Sequence, residues 1–202
     1  LLGARAEEHK NSRLWAGANV PSDIAAGDSL GVKVAAQIIA YAKTDKMGQA
    51  NNQAAYPNLK ADASARGITT LWTSRDIPAR PPMLPFYGEV KPWNLDRATL
   101  VSVRPAAPPA VGTPAFEAAL QELRDLAKKR TREQFRIVSY WADGVGTYTP
   151  PGHWSRKASE LILEQEWNEI RSARAMALVM TAVQDAGIAC WVRVTRFDVD
   201  VT

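Results

Sequence analysis

The sequence predicts a mainly α-helical protein whose helices are interrupted by one long, irregular strap. Small and apolar residues recur at helical spacing over about 22–43 and again over 113–191. Between these regions, nine of the thirteen prolines fall in the segment from Pro57 to Pro109, where few stretches alternate as strands do. Because this segment also contains aromatic residues, we expect an ordered strap lying over a helical core.

The first long helix is expected over about 22–43. Ser22 is a suitable N-cap, and Asp23 would place its charge in the first turn, where the helix dipole favours it. Gly27 and Gly31 are costly inside a helix, so we expect another backbone to approach closely there.

The strap, over about 44–112, contains aromatic residues that we interpret as pins against the core. They are Trp72, Phe86, Tyr87 and Trp93. The alternative is that Trp72 and Trp93 line a ligand pocket.

Two helices are predicted directly after the strap. Thr113 caps the first, with Pro114 at the first helical position. Thr131 and Gln134 have the spacing of a capping box, which opens a second helix that runs to about Trp141.

Two further helices complete the prediction, one over about 155–166 and one from about 168 to 191. From Ala175 to Trp191 the last is apolar on nearly every side except at Gln184 and Asp185, which is typical of a helix at the centre of a core.

Composition and charge exclude several classes of protein. The net charge is +4, but the basic residues are scattered, and the run 128–132 also suits a helix C-terminus, so we predict no nucleic-acid surface. The single cysteine, Cys190, excludes an internal disulfide and is expected to be a buried packing thiol. His9 has no second ligand at metal spacing, and no metal site is predicted.

No uninterrupted apolar run is long enough for a membrane span, so no transmembrane segment is predicted. The chain begins with Leu and shows no signal-peptide pattern, which indicates a fragment or a processed piece. The cellular compartment does not follow from these features.

A polar motif precedes the first long helix. Ser12 and Arg13 are followed by a turn at Gly17 and then by Asn19 and Asp23. This order places a hydroxyl and a guanidinium beside a helix start, where free N–H groups and the helix dipole favour an anion. The stretch therefore predicts a cradle for an oxyanion.

This spacing resembles SRxxxxxHxxxD, the third motif of the type 2 phosphatidic acid phosphatase and vanadium-dependent haloperoxidase superfamily. The resemblance implies that Arg13, with Ser12 and Gly17, holds the oxygens of phosphate or of a vanadate cofactor, and that Asp23 is the orienting carboxylate. The position of the family's reactive His is Asn19 here. An amide can neither attack phosphorus nor coordinate vanadium.

The second half of the chain resembles the helical region that precedes the first catalytic motif, KxxxxxxRP, in bacterial haloperoxidase-like members. The segments that carry this resemblance are 87–93, 104–105, 108–109, 131–134, 140–144, 149–154 and 185–191. It implies an incomplete helical bundle in four parts: the C-terminal part of one catalytic unit (1–43), a proline-rich connector (44–112), the lead-in of a second unit (113–191) and an atypical tail (192–202).

Two segments imitate the missing motifs. Arg97 with Arg104 and Pro105 resembles KxxxxxxRP with Arg in place of Lys, and His153 after Pro151 and Gly152 resembles PSGH. His153 is a candidate acid or base, and the alternative is a His that caps a helix or packs beside Trp154.

The resemblance implies a family of peroxidases and acid phosphatases that bind a small oxyanion or phosphoester. Because Asn19 replaces His and two motifs are missing, we expect the chain to be inactive alone, unless a partner chain completes the site. The rival hypothesis is a non-catalytic helical scaffold or interaction module in which Arg13 and Asp23 merely pair.

Overall fold

The computed structural model describes residues 2–67, 73–103, 106, 108–144 and 146–197, with side chains as far as Val192. Within these ranges the protein has eight α-helices and no strand, which confirms the mainly α prediction. The predictions for Trp72, for Arg104 with Pro105 and for the end of the tail lie outside the described residues.

The α-helices are named in chain order. They are α1 (Leu2–Trp15), α2 (Pro21–Ala42), α3 (Tyr56–Ala65), α4 (Arg97–Ser102), α5 (Pro114–Lys129), α6 (Arg132–Trp141), α7 (Thr149–Glu164) and α8 (Glu169–Phe197). Short 3₁₀ helices cover Met47–Gln49, Gln53–Ala55 and Tyr87–Glu89.

The chain forms two compact units, residues 1–48 and 49–202. The first contains α1 and α2, and the second contains α3 to α8. Most of the expected connector therefore belongs to the same unit as the helices that follow it. The correspondence of these parts to regions of the superfamily stays a prediction.

Helix α2 covers the predicted range, but its N-cap is Val20 instead of Ser22. Val20 is extended (φ −101°, ψ 163°), and the ring of Pro21 has the φ that the first helical position needs. Asp23 is consequently the third helical residue, from which its carboxylate reaches back to the N–H of Val20 at 3.1 Å.

The close backbone approach expected at the glycines of α2 is not present. No atom of the described residues lies within 4 Å of the position that a Cβ would take at Gly27 or Gly31. Helix α2 contains no buried residue, and five of its large apolar side chains are at least 46% exposed. These are Leu30, Val32, Val34, Ile38 and Ile39, of which Ile38 has the lowest exposure.

Two regular helices lie inside the predicted irregular strap, so that prediction is wrong for α3 and α4. Pro57 sits in the first turn of α3, where its missing N–H removes no helical hydrogen bond. Asp96 caps α4 by accepting a hydrogen bond from the N–H of Thr99 at 2.7 Å. A proline count alone does not show which prolines begin a helix.

The caps predicted for α5 and α6 are confirmed. The hydroxyl oxygen of Thr113 accepts a hydrogen bond from the N–H of Phe116 at 3.3 Å. The hydroxyl of Thr131 accepts from the N–H of Gln134 at 3.2 Å, and the side-chain oxygen of Gln134 accepts from the N–H of Thr131 at 2.9 Å. This reciprocal pair is the capping box.

Helix α7 begins at Thr149, six residues before the predicted start at 155. Its first turn contains Pro150, which is tolerated there because the first N–H groups of a helix have no partner within the helix. The earlier start places His153 inside the helix.

The core of the second unit forms where α8 packs against the turn Tyr87–Glu89 and against α7. Ile188 and Val192 of α8 are almost fully buried, together with Val90 and Leu100 from the strap and α4. The central position predicted for this helix is confirmed for its C-terminal half only. Leu178, in the N-terminal half, is 53% exposed.

Cys190 is exposed, so the prediction of a buried thiol is wrong. It follows the buried Ile188 by two residues, which on a helix is a rotation of about 200°. When a helix packs on one side only, an apolar run along it therefore leaves some apolar side chains exposed to solvent.

The stretch Glu169–Val192 of α8 is long and apolar enough to cross a membrane, with a mean hydropathy of 1.5. It is the single stretch of this kind in the described part of the chain, and only its length and composition indicate a membrane span. The core helix of a soluble protein can have the same length and hydropathy. Here the stretch includes Asp185, which is buried against the strap.

Replacing Gly88 with Ala is expected to destabilise the second unit by about 1–3 kcal/mol, as overpacking does. A Cβ at Gly88 would lie 2.6 Å from the backbone nitrogen of Val192, and a helix backbone cannot yield as a flexible side chain can. Urea unfolding measures the change. Gly144→Ala is the control, since no atom lies within 4 Å of its Cβ position. Equal stability of the two variants would contradict the expected close approach.

Candidate functional site

The polar motif forms the corner between α1 and α2. Gly17 adopts a left-handed conformation (φ +66°) just after α1, which a residue with a side chain rarely adopts. The N–H of Gly17 donates to the carbonyl of Leu14, and the N–H of Ala18 donates to the carbonyl of Arg13. These bonds satisfy carbonyl groups at the end of α1 and turn the chain toward α2.

Arg13 and Asn19 contact each other across this corner. The Nε of Arg13 donates a hydrogen bond to the side-chain oxygen of Asn19 at 3.0 Å. The side-chain amide of Asn19 therefore serves as an acceptor for the guanidinium. It ties the end of α1 to the residue just before α2.

The other polar residues of the motif also bond locally. The hydroxyl of Ser12 donates to the carbonyl of His9 at 2.7 Å, and the carboxylate of Asp23 accepts from the N–H of Val20. Asp23 thus bonds to the backbone of its own helix, and the pairing of Arg13 with Asp23 expected for a scaffold is replaced by Arg13 with Asn19.

The corner is open to solvent. Ser12, Arg13, Gly17 and Asp23 are exposed, and Asn19 is half-buried. An oxyanion at Arg13 would compete with water and salt, and exposed ion pairs contribute little in that setting. The arrangement can offer a guanidinium but not a dry site.

His153 occupies a different environment, in the first part of α7. It is 1% exposed, and its Nδ1 lies 2.8 and 3.0 Å from the two carboxylate oxygens of Asp143. Asp143 follows the end of α6 in a left-handed conformation (φ +45°) that turns the chain toward α7. The pair joins the end of one helix to the start of the next.

Aromatic rings surround the imidazole of His153. Trp141 stacks on it with 4.8 Å between ring centroids and 10° between planes. Tyr140 and Tyr148 present their rings at right angles, at 4.9 and 5.6 Å. The Nε2 of His153 is buried and has no hydrogen-bond partner among the described residues.

An imidazole held by a carboxylate is the usual arrangement of a general base, but the atom that would accept the proton must reach the substrate. Here Nε2 is shielded from solvent. In this conformation the pair holds α6 and α7 together, and the role of His153 as an acid or base stays a prediction.

The sequence alone does not identify Asp143 as the partner of His153. A signal is present, since an acidic residue and a glycine follow α6 and precede the Pro-Pro-Gly-His stretch. No fixed spacing defines such a pair, because the loop geometry decides whether the two side chains meet.

Asp185 of α8 fixes the strap. Its carboxylate accepts hydrogen bonds from the backbone N–H groups of Trp93 and Asn94, each at 2.7 Å, and from the side-chain amide of Asn94 at 3.1 Å. The indole N–H of Trp93 donates to Gln184 at 2.8 Å. Trp93 therefore pins the strap to α8, as predicted.

Tyr87 lies beside this anchor and packs edge-on against Trp191. Burial raises the pKa of its phenol, and the negative charge of Asp185 raises that pKa further. Both effects disfavour the tyrosinate anion.

Arg97 is held beside the turn Tyr87–Glu89, and its role in binding an anion stays a prediction. Its Nη1 donates to the carbonyl of Gly88 at 2.9 Å, beside a cleft of about 450 Å³. The cleft is also lined by Asp62, Arg66 and Glu89, so its charges are mixed. In the part of the chain that is described, no group of three His, Cys, Asp or Glu residues could hold a metal ion.

No family model, curated protein or solved structure matches the chain.

Removing the carboxylate of Asp143 is expected to destabilise the second unit by about 1–3 kcal/mol, because it leaves a buried imidazole without a partner. Thermal or urea unfolding of Asp143→Ala measures this loss. Glu164→Ala, at an exposed position near the end of α7, is the control. Losses of equal size in the two variants would show that the Asp143–His153 pair does not stabilise the fold.

Asp185→Asn is expected to lower the pKa of Tyr87, though not to its ordinary value, because burial persists. Since the folded-state pKa of Tyr87 lies above the unfolded value of 10.0, its contribution to stability is present below that pH and lost as pH rises through the folded-state pKa. Tyrosinate absorbance, with Tyr87→Phe subtracted, measures the shift. An unchanged titration would contradict the influence of Asp185.

Proposed function

We propose that this chain is a non-catalytic helical module related to the phosphatidic acid phosphatase and vanadium haloperoxidase superfamily. The observation that supports this proposal is the hydrogen bond from Arg13 to Asn19. The motif residues that serve oxyanion chemistry in the family serve here to hold the corner between α1 and α2.

Three features support the absence of turnover. The family's chemistry requires an imidazole to attack phosphorus or to bind vanadate, and Asn19 provides an amide. Asp23 caps its own helix. His153, the candidate acid or base, has its Nε2 shielded from solvent.

Exposed apolar helices support a role in interaction. Several large apolar side chains on α2, α5 and α6 keep about half or more of their surface exposed. Contiguous exposed apolar surface is typical of regions that bind other macromolecules. A scaffold or interaction module accounts for these surfaces without requiring catalysis.

Oxyanion binding at Arg13 is the second candidate function. Within the described residues, the hydrogen bonding of this guanidinium is confined to its Nε, and its side chain is exposed. The terminal nitrogens could bind phosphate or vanadate in the bidentate way that guanidinium favours. A partner chain would then have to supply the missing Lys, Arg and His.

Vanadate titration followed by vanadium NMR separates the two candidates. A non-catalytic module is expected to show no saturable binding with a Kd below about 1 mM. Saturable binding that Arg13→Ala abolishes and Arg5→Ala preserves would instead favour the oxyanion site. Arg5 is a suitable control because it is an exposed arginine of α1 that pairs with Glu8.

The Asn19→His variant is expected to show neither phosphatase nor bromination activity, because the other clamp residues of the family are missing. Assays with a chromogenic phosphomonoester, and with vanadate, peroxide and bromide, test this expectation. Turnover by Asn19→His that is lost on adding Arg13→Ala would overturn the proposal of a non-catalytic module.

A further inference from the structure

The helices α5 and α6 present an apolar face that the second unit leaves uncovered. Four large apolar side chains of these helices are 45% to 64% exposed: Leu123, Leu126, Ile137 and Val138. The most extensive contacts between elements of this unit join α8 to α7 and to the turn Tyr87–Glu89. Neither α5 nor α6 takes part in them.

This face is a groove and not a scatter of single residues. Leu123, Leu126, Ile137 and Val138 line a shared cavity of about 460 Å³ between the end of α5 and α6. A neighbouring cleft of about 450 Å³ lies on the other side of Leu126. Leu126 is therefore at the centre of the exposed surface.

Opposite charges flank Leu126. Glu122, Asp125 and Lys129 line the neighbouring cleft with Leu126, and Asp125 accepts a hydrogen bond from the side-chain amide of Gln121 at 3.0 Å. Glu122 and Lys129 are seven residues apart, so they lie on the same flank of α5, about 10 Å apart along the helix axis. That separation is too large for them to pair with each other, and neither forms an ion pair within the described residues.

The positions of Glu122 and Lys129 on α5 are complementary to each other under a two-fold rotation. When two copies of α5 pack antiparallel about an axis beside Leu126, Glu122 of each copy lies opposite Lys129 of the other. The leucines of the two helices then cover one another, and the antiparallel helix dipoles attract. A symmetric pair thus covers the apolar face and satisfies both charges.

We propose that the α5–α6 face binds a second copy of this chain, through antiparallel packing of α5 about a two-fold axis near Leu126. This interface is independent of the oxyanion motif and of the proposed absence of turnover. Its specificity comes from two equivalent Glu122–Lys129 pairs, and its affinity comes from the apolar side chains between them.

Sedimentation velocity over a wide concentration range provides the first test. The wild-type chain is expected to form a dimer that weakens as salt screens the two ion pairs. A chain that remains monomeric at every concentration, or that forms only aggregates without a defined dimer, would overturn the proposal.

Charge reversal provides the decisive test. Glu122→Lys places two cations opposite two cations, and Lys129→Glu places two anions opposite two anions, so each variant alone is expected to dimerise at least about tenfold more weakly. In an equimolar mixture the two variants are oppositely charged at both contacts. The mixture is therefore expected to form a heterodimer of wild-type affinity.

Two further variants define the controls. Leu126→Ser is expected to abolish both the wild-type dimer and the heterodimer, whereas Glu164→Lys makes the same charge change at an exposed site on α7 and should leave dimerisation unchanged. Circular dichroism confirms that each variant keeps its helices. If neither charge reversal changes the dimer affinity, or if the mixed variants associate no more tightly than each variant alone, this face does not pair with itself.

Discussion

The second unit depends on how closely α8 approaches the strap. Gly88 permits this approach, because any side chain there would collide with the backbone of Val192. Asp185 then accepts hydrogen bonds from the N–H groups of Trp93 and Asn94 in the strap. Close packing and hydrogen-bond satisfaction act at neighbouring points of one helix. Together they make a proline-rich segment an ordered part of the core.

The two groups of chemically capable residues differ in their surroundings, and neither environment favours catalysis. Arg13 donates a hydrogen bond to Asn19 at an exposed corner, where water weakens any contact with an anion. His153 has a carboxylate partner and a shielded environment, but the nitrogen that could exchange a proton is enclosed by rings. Residue types that suggest chemistry in the sequence serve in this structure to join consecutive helices.

The exposed apolar helices give the molecule its clearest functional character. A helix with an apolar face gains most of its stability from packing against another surface, so an uncovered face favours binding. For α5 the charges beside Leu126 restrict which partner fits, because Glu122 and Lys129 are complementary to their own two-fold image. The proposals of an interaction module and of a symmetric pair both rest on this surface.

The sequence by itself determined the features that arise from hydrogen bonds within a few residues. The mainly α class and the caps at Thr113 and Thr131 are of this kind, because the participating groups are neighbours in the chain. Only the tertiary structure decided that Asp143 meets His153 and that Cys190 faces outward. Those outcomes depend on loop conformation and on which side of a helix packs, and neither is encoded in local spacing.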